Sequence, residues 1–108
     1  MFMLGWGGSS TDAIFTLQPV LSTWNGKGDG DFNYGRYTNK KVDELTAKVK
    51  VEMTEARIGY IHDALLAQNA EVNLIPLHRQ VIPWASRSNV TTVHRANNYV
   101  TPYWTTVK

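Results

Sequence analysis

The sequence predicts an α/β chain in which a small sheet is covered by about three helices. Three observations predict it. Met1, Phe2, Met3 and Leu4 form an unbroken apolar run of strand length, as expected of a strand covered on both faces. Residues 39–51 and 55–69 repeat apolar side chains at helical spacing. Residues 72–78 form a second apolar extended run. Each helix carries one apolar stripe, so both are expected to lie on the sheet and not to form the core themselves.

A chain of 108 residues is one domain or part of one, and at this size about two-thirds of the unfolded surface can be buried. The apolar fraction of 43% and the charged fraction of 19% are those of a globular protein, not of a disordered or fibrous one. A net charge of +2, with no basic run beyond Lys40-Lys41, does not argue for nucleic acid as a partner. The absence of cysteine excludes a disulfide scaffold, a thiolate zinc site and a cysteine nucleophile. No apolar run reaches the ~18 residues of a membrane span, and no signal peptide is recognisable. Domains seldom open directly in a fully apolar strand. The chain is therefore expected to be a fragment of a longer protein.

The first strand, residues 1–5, leads into Gly5-Trp6-Gly7-Gly8. Glycines around one indole allow a tight turn and a close approach to the main chain. Ser9, Ser10, Thr11 and Asp12 offer caps for a helix over residues 12–21, on which Ala13, Ile14, Leu17, Val20 and Leu21 are apolar. Pro19 lies inside that pattern and should kink or end the helix. Free N–H groups and an aromatic face at one strand end make a ligand cleft. Taken alone, these residues favour the plainer reading: a core strand, a turn and a capped helix with a buried Trp.

Residues 22–30, STWNGKGDG, read as a flexible surface loop. Gly28 to Asp31 fail as an EF-hand, because Tyr34 and Lys40 stand where glycine and a bidentate Glu are needed. Phe32-Asn33-Tyr34-Gly35-Arg36-Tyr37 alternates rings with polar groups and suits either a ligand face or a loop anchored by its rings. Asn39 is the expected N-cap of the helix over 39–51, with Val42, Leu45 and Val49 on its buried face. Asp43 and Glu44 near its start and Lys48 and Lys50 near its end complement the helix dipole. Thr54 is the expected cap of the helix over 55–69. Its buried stripe is expected to be Ile58, Ile61, Leu65 and Leu66, with Ala64 and Ala67 permitting close approach.

Pro76 places the extended run over 72–78 at a sheet edge or strand end. His78, Arg79 and Gln80 interrupt apolar residues and must face a cavity, a partner or solvent. Ser86 to Asn89 reads as a turn and Val90 to Val93 as a short strand. Residues 97–108 are β-branched and aromatic but broken by Pro102, which reads as an extended tail. No catalytic constellation is visible. His62, His78 and His94 have no second ligand at metal spacing, and the nucleophile-elbow, zincin and dinucleotide motifs are absent. No enzyme activity, cofactor or metal is expected.

Four features in this order resemble one family. They are the strand leading into Gly5-Trp6-Gly7 with a small-residue turn and an Asp; Tyr37-Thr38-Asn39-Lys40-Lys41-Val42-Asp43-Glu44-Leu45; Arg57 with Tyr60 behind it; and Asn73-Leu74-Ile75-Pro76-Leu77. Together they resemble the C-terminal part of the peptide/nickel class of extracytoplasmic solute-binding proteins (solute-binding family 5) of ABC importers. The resemblance implies a two-lobed periplasmic-binding-protein-like fold that closes on its ligand by hinge motion, a motion of which periplasmic binding proteins are a standard example.

By this resemblance residues 1–85 are a fragment of the C-terminal lobe, and residues 86–108 are a tail that returns to the other lobe. It implies a peptide or related small polar solute, ABC permease subunits as partners, and a periplasmic or lipoprotein location. The candidate ligand-binding residues are Trp6, Gly7, Gly8, Ser9 and Asp12 at the turn the resemblance covers, together with Asn33 and Tyr34 from the stretch that alternates rings with polar groups. Ser9 stands where peptide binders of the family present an aspartate to the ligand amine. A hydroxyl does not supply that charge, and Asp12 does so only if the turn is rebuilt. As a fragment the chain is expected to associate with itself through Tyr99 to Val107. The alternative is a small structural or interaction module with no ligand-binding role.

Overall fold

In the computed structural model, which describes residues 3–7 and 10–108, the first helix is reshaped by its proline. α1 spans Ile14–Thr16 and runs on as a π-helical turn over Leu17–Leu21. Pro19 has no N–H to give, and its ring collides with the carbonyl four residues back. Widening the turn relieves that collision. The Ser22 N–H then reaches the Leu17 carbonyl at 2.9 Å, five residues back. Leu17, Val20 and Leu21 on this turn are buried.

α2 spans Lys40–Val51, and Asn39 caps it as expected, its Oδ1 accepting from the Val42 N–H at 3.1 Å. Val42, Leu45 and Val49 are buried along one face. α3 spans Ala56–Ala70 and packs against α2 through the short linker between them. Thr54 contributes only a long bond from the Ala56 N–H, 3.4 Å, and no side chain caps the first turn of α3. The linker is instead tied by Glu52, whose Oε1 accepts from the N–H groups of Met53 and Thr54 and from the Thr54 hydroxyl.

Two expectations about the core are corrected. First, the buried residues of α3 are Ala64 and Gln68, with Tyr60, Ile61 and Ala67 partly covered; Ile58, Leu65 and Leu66 are exposed. Small residues let the two helix axes approach, so the face with Ala64 wins the contact over the bulkier one. Second, α2 does not cover a sheet. The core is helix on helix: Leu17, Val20 and Leu21 meet Val42, Leu45, Val49 and Ala64, with Leu4, Ala13 and Ile14 at its margin.

Among the described residues the expected sheet of residues 1–5 and 72–78 does not form. Met3 to Gly7 are irregular, and Met1 and Phe2 lie outside the described residues. Residues 75–87 are irregular too. A strand needs a partner for its backbone groups, and Pro76 and Pro83 each remove a donor from this stretch. His78, Arg79 and Gln80 face solvent. The paired strands are β1, Val90–Thr92, and β2, Thr105–Val107, joined antiparallel with Val90 opposite Val107 and Thr92 opposite Thr105. Pro102–Trp104 form a 3₁₀ turn just before β2. The end of the tail is thus paired within the chain and not free along both edges.

The chain is therefore a small α/β chain of three α-helices and a two-stranded antiparallel sheet among the described residues. It divides into two compact units, Met1–Ile75 and Pro76–Lys108. The first holds all the α-helices and the second the hairpin. No helix of the described residues is long and apolar enough to cross a membrane.

Candidate functional site

Trp6, Phe32 and Tyr34 come together as a row of rings on the first unit. Trp6 and Phe32 have centroids 5.1 Å apart with tilted planes, and Phe32 and Tyr34 meet edge to face at 6.2 Å. All three are partly open to solvent, Trp6 at 37%. The Trp6 indole N–H donates to the Thr16 hydroxyl at 3.2 Å, which fixes the ring against α1. Gly7 is exposed, and a Cβ built there or on Gly5 meets nothing within 4 Å, so this chain's own packing does not require glycine at either position. Gly8 and Ser9 lie outside the described residues.

Asn33 sits beneath the rings and is buried, 5% exposed. Its Nδ2 donates to the carbonyls of Ser22 at 3.0 Å and Tyr37 at 2.8 Å, and its Oδ1 accepts from the Tyr37 N–H at 3.1 Å. It pins the loop that carries Phe32 and Tyr34, so any effect it has on a ligand passes through that loop. The neighbouring loop over 22–30 is also held. Asn25 Oδ1 accepts from the N–H groups of Lys27 and Asp29, Lys50 pairs with Asp29, and the Gly30 N–H reaches Gln18 O at 2.9 Å. Gly30, at φ +67°, is the one glycine here that packing demands: a Cβ would lie 2.5 Å from Trp24 N and 2.6 Å from Ser22 O.

Asp12 faces inward to the helices. Its Oδ1 accepts from Arg57 Nη2 at 2.9 Å and from the Ile14 N–H at 2.9 Å. Arg57, with the Ile14 N–H adding to it, holds the Asp12 carboxyl below its ordinary value of 3.8. Arg57 Nε donates to the Val49 carbonyl at 3.0 Å, one of the carbonyls that the end of α2 leaves without a helical partner. One guanidinium therefore ties the starts of α1 and α3 to the end of α2. Sequence reasoning placed Arg57 only as part of a motif; its partner 45 positions away has no local signal. Asp43 is similar. It was expected as a dipole-complementing acid, yet both its oxygens hold Thr23, from N at 2.8 Å and Oγ1 at 2.6 Å.

Clefts open on this unit among the described residues. A small one of about 60 Å³ lies beside Phe32 and Asn33, with Leu4, Val20 and Leu74 among its walls. A wider, polar one of about 300 Å³ lies between the loop over 22–29 and α2, away from the rings. Among the described residues no group of three His, Cys, Asp or Glu side chains is placed to hold a metal ion. Comparison of the chain with protein-family models, curated proteins and solved structures found no match.

Proposed function

We propose that the chain is the C-terminal-lobe part of the substrate-binding component of an ABC importer for peptides or a related small polar solute. The supporting observation is the half-open ring row of Trp6, Phe32 and Tyr34, in which Trp6 belongs to the Gly5-Trp6-Gly7 motif of the sequence resemblance. Ring faces of this kind stack on amide planes and aliphatic chains. In this reading Trp6, Gly7 and Tyr34 line the solute cleft, with Asn33 holding the loop that carries Tyr34. Asp12 is engaged by Arg57, so the reading favours a solute without a free ammonium at this position, such as a blocked or modified peptide. A cleft of about 60 Å³ does not enclose a solute by itself, and the opposing lobe supplies the other wall. The permease subunits and a periplasmic or lipoprotein location belong to the same proposal.

Native mass spectrometry of the full-length protein purified without denaturation tests it by catching a co-purified solute. Trp6→Ala is expected to weaken binding of that solute by ~1–3 kcal/mol with the fold intact. Unchanged affinity at unchanged stability would remove Trp6 from the site. A second reading, an interaction module with no solute site, is favoured by the exposed α3 side chains Ile58, Leu65 and Leu66. It predicts that no solute co-purifies and that charge substitutions at Leu66 abolish association with a protein partner.

A further inference from the structure

The net charge of +2 conceals a division of charge along the chain. All nine Asp and Glu residues lie at or before Glu71. The unit Pro76–Lys108 carries Arg79, Arg87, Arg95 and Lys108 and no acidic side chain. Among the described residues none of these four forms an ion pair. Arg95 stacks over the Trp104 ring at 4.9 Å and donates to Thr101 Oγ1 at 3.1 Å; Arg79, Arg87 and Lys108 are exposed.

The same unit exposes apolar groups that a short soluble unit usually covers. Tyr103 is 95% exposed and Tyr99 71%, and Trp104, Val81, Val100 and Val107 are also more than half exposed. The hairpin has little interior of its own, because Thr92 and Thr105 share a hydroxyl–hydroxyl bond where an apolar pair would pack. The unit therefore carries three classes of exposed side chain: cations without an ion pair, amphipathic rings and aliphatic branches.

We propose that the unit Pro76–Lys108 docks on an anionic phospholipid surface, lying at the interface without crossing it. Such a surface engages all three classes. Anionic headgroups complement a unit that has only cations. Tyr and Trp rings settle at headgroup level, with the polar edge in water and the ring in the acyl boundary. Valine side chains enter that boundary, and arginine and lysine stems reach back to the headgroups. A single-stranded nucleic acid would engage the rings and the cations but leave Val81, Val100 and Val107 in water. The aliphatic exposure favours the bilayer.

Co-sedimentation of the full chain with phosphatidylcholine vesicles, with and without phosphatidylglycerol, tests the proposal. Binding is expected only to the anionic vesicles. Raising salt from ~0.1 to ~1 M, which shortens the Debye length from about 10 to about 3 Å, should weaken it severalfold. Arg87→Gln with Lys108→Gln should weaken partitioning about 25-fold, roughly fivefold for each cation lost near the surface. Lys27→Gln with Lys41→Gln, which changes net charge equally but in the first unit, should leave it within about twofold. Tyr103→Ser, at a position with almost no contacts to lose, should weaken binding to anionic vesicles severalfold with the melting curve unchanged. Equal binding to neutral vesicles, no vesicle binding, equal effects of the two charge pairs, or a single-stranded oligonucleotide displacing the vesicles would each overturn it.

Discussion

Replacing Asn33 by alanine removes the polar hub beneath the ring row. The residue is buried, 5% exposed, and makes three hydrogen bonds, two donated to Ser22 O and Tyr37 O and one accepted from Tyr37 N. Truncation leaves these backbone groups without their partner, Ser22 O in a buried site and the Tyr37 groups in a part-buried one. A net loss of about 1 kcal/mol per bond, raised by the desolvation of groups left unpaired, puts the cost at about 2–4 kcal/mol. That is a large share of the ~5–15 kcal/mol by which a domain is stable. Melting should fall by roughly 8–32 °C, at the ~4–8 °C per kcal/mol usual for this size.

Urea denaturation followed by far-ultraviolet circular dichroism measures the change as a drop in midpoint at constant slope. Asn33→Asp adds a second readout. It keeps the acceptor for Tyr37 N but turns the donor toward two carbonyls into a carboxylate oxygen. Burial and those carbonyls would raise its folded-state pKa, so its deficit should shrink as pH falls below that value, when the protonated acid donates again. A loss under ~1 kcal/mol for Asn33→Ala would refute the structural role. A variant that binds solute poorly yet melts normally would instead make Asn33 a direct ligand contact.

Gly30→Ala should cost more than about 2 kcal/mol, since its Cβ would meet Trp24 N at 2.5 Å and its φ is +67°; a melting point within a degree of the parent would contradict the close approach. Val72 follows α3 with φ +49°, a left-handed conformation that β-branched residues resist. Val72→Gly should therefore raise stability by roughly 0.5–1 kcal/mol, and a destabilised variant would show that its exposed side chain packs usefully. Asp12 and Glu52 have lowered folded pKa values, Asp12 through Arg57 first and Glu52 through the Thr54 hydroxyl first. Their contribution is present above the unfolded values of 3.8 and 4.5 and is lost as pH falls through the lower folded values. Asp12→Asn should flatten that acid limb, and an unchanged limb in pH-dependent urea titrations would dismiss the Arg57 pair. For the isolated chain, the self-association expected through Tyr99 to Val107 is tested by light scattering, where a monomer at all concentrations counts against it.

The α2 helix was legible in the residues themselves. Its signals are local: a cap three residues from its partner N–H, apolar side chains at i, i+3 and i+7, and acids and lysines at opposite ends. The break at Pro19 and the short strand starting at Val90 were legible for the same reason, because each depends on a few adjacent residues. Association of the rings was only half legible. Phe32 and Tyr34 announce themselves by alternation, but Trp6 joins them because the Thr16 hydroxyl fixes its indole.

Tertiary structure decided the rest. The apolar run over 72–78 has the composition of a strand, yet strand pairing needs a partner, and β1 finds it in residues 105–107 instead. Ile58, Leu65 and Leu66 have the spacing of a buried stripe, but helix spacing alone does not say which face a neighbour will meet. Close approach to α2 selected the side with Ala64 and left the larger side chains in water. The bonds that brace the candidate site, Asp12 to Arg57, Thr23 to Asp43 and Asn33 to Ser22, join residues 45, 20 and 11 positions apart. Composition and spacing supply the donors and acceptors for such bonds. Only the packed backbone brings them within hydrogen-bonding distance.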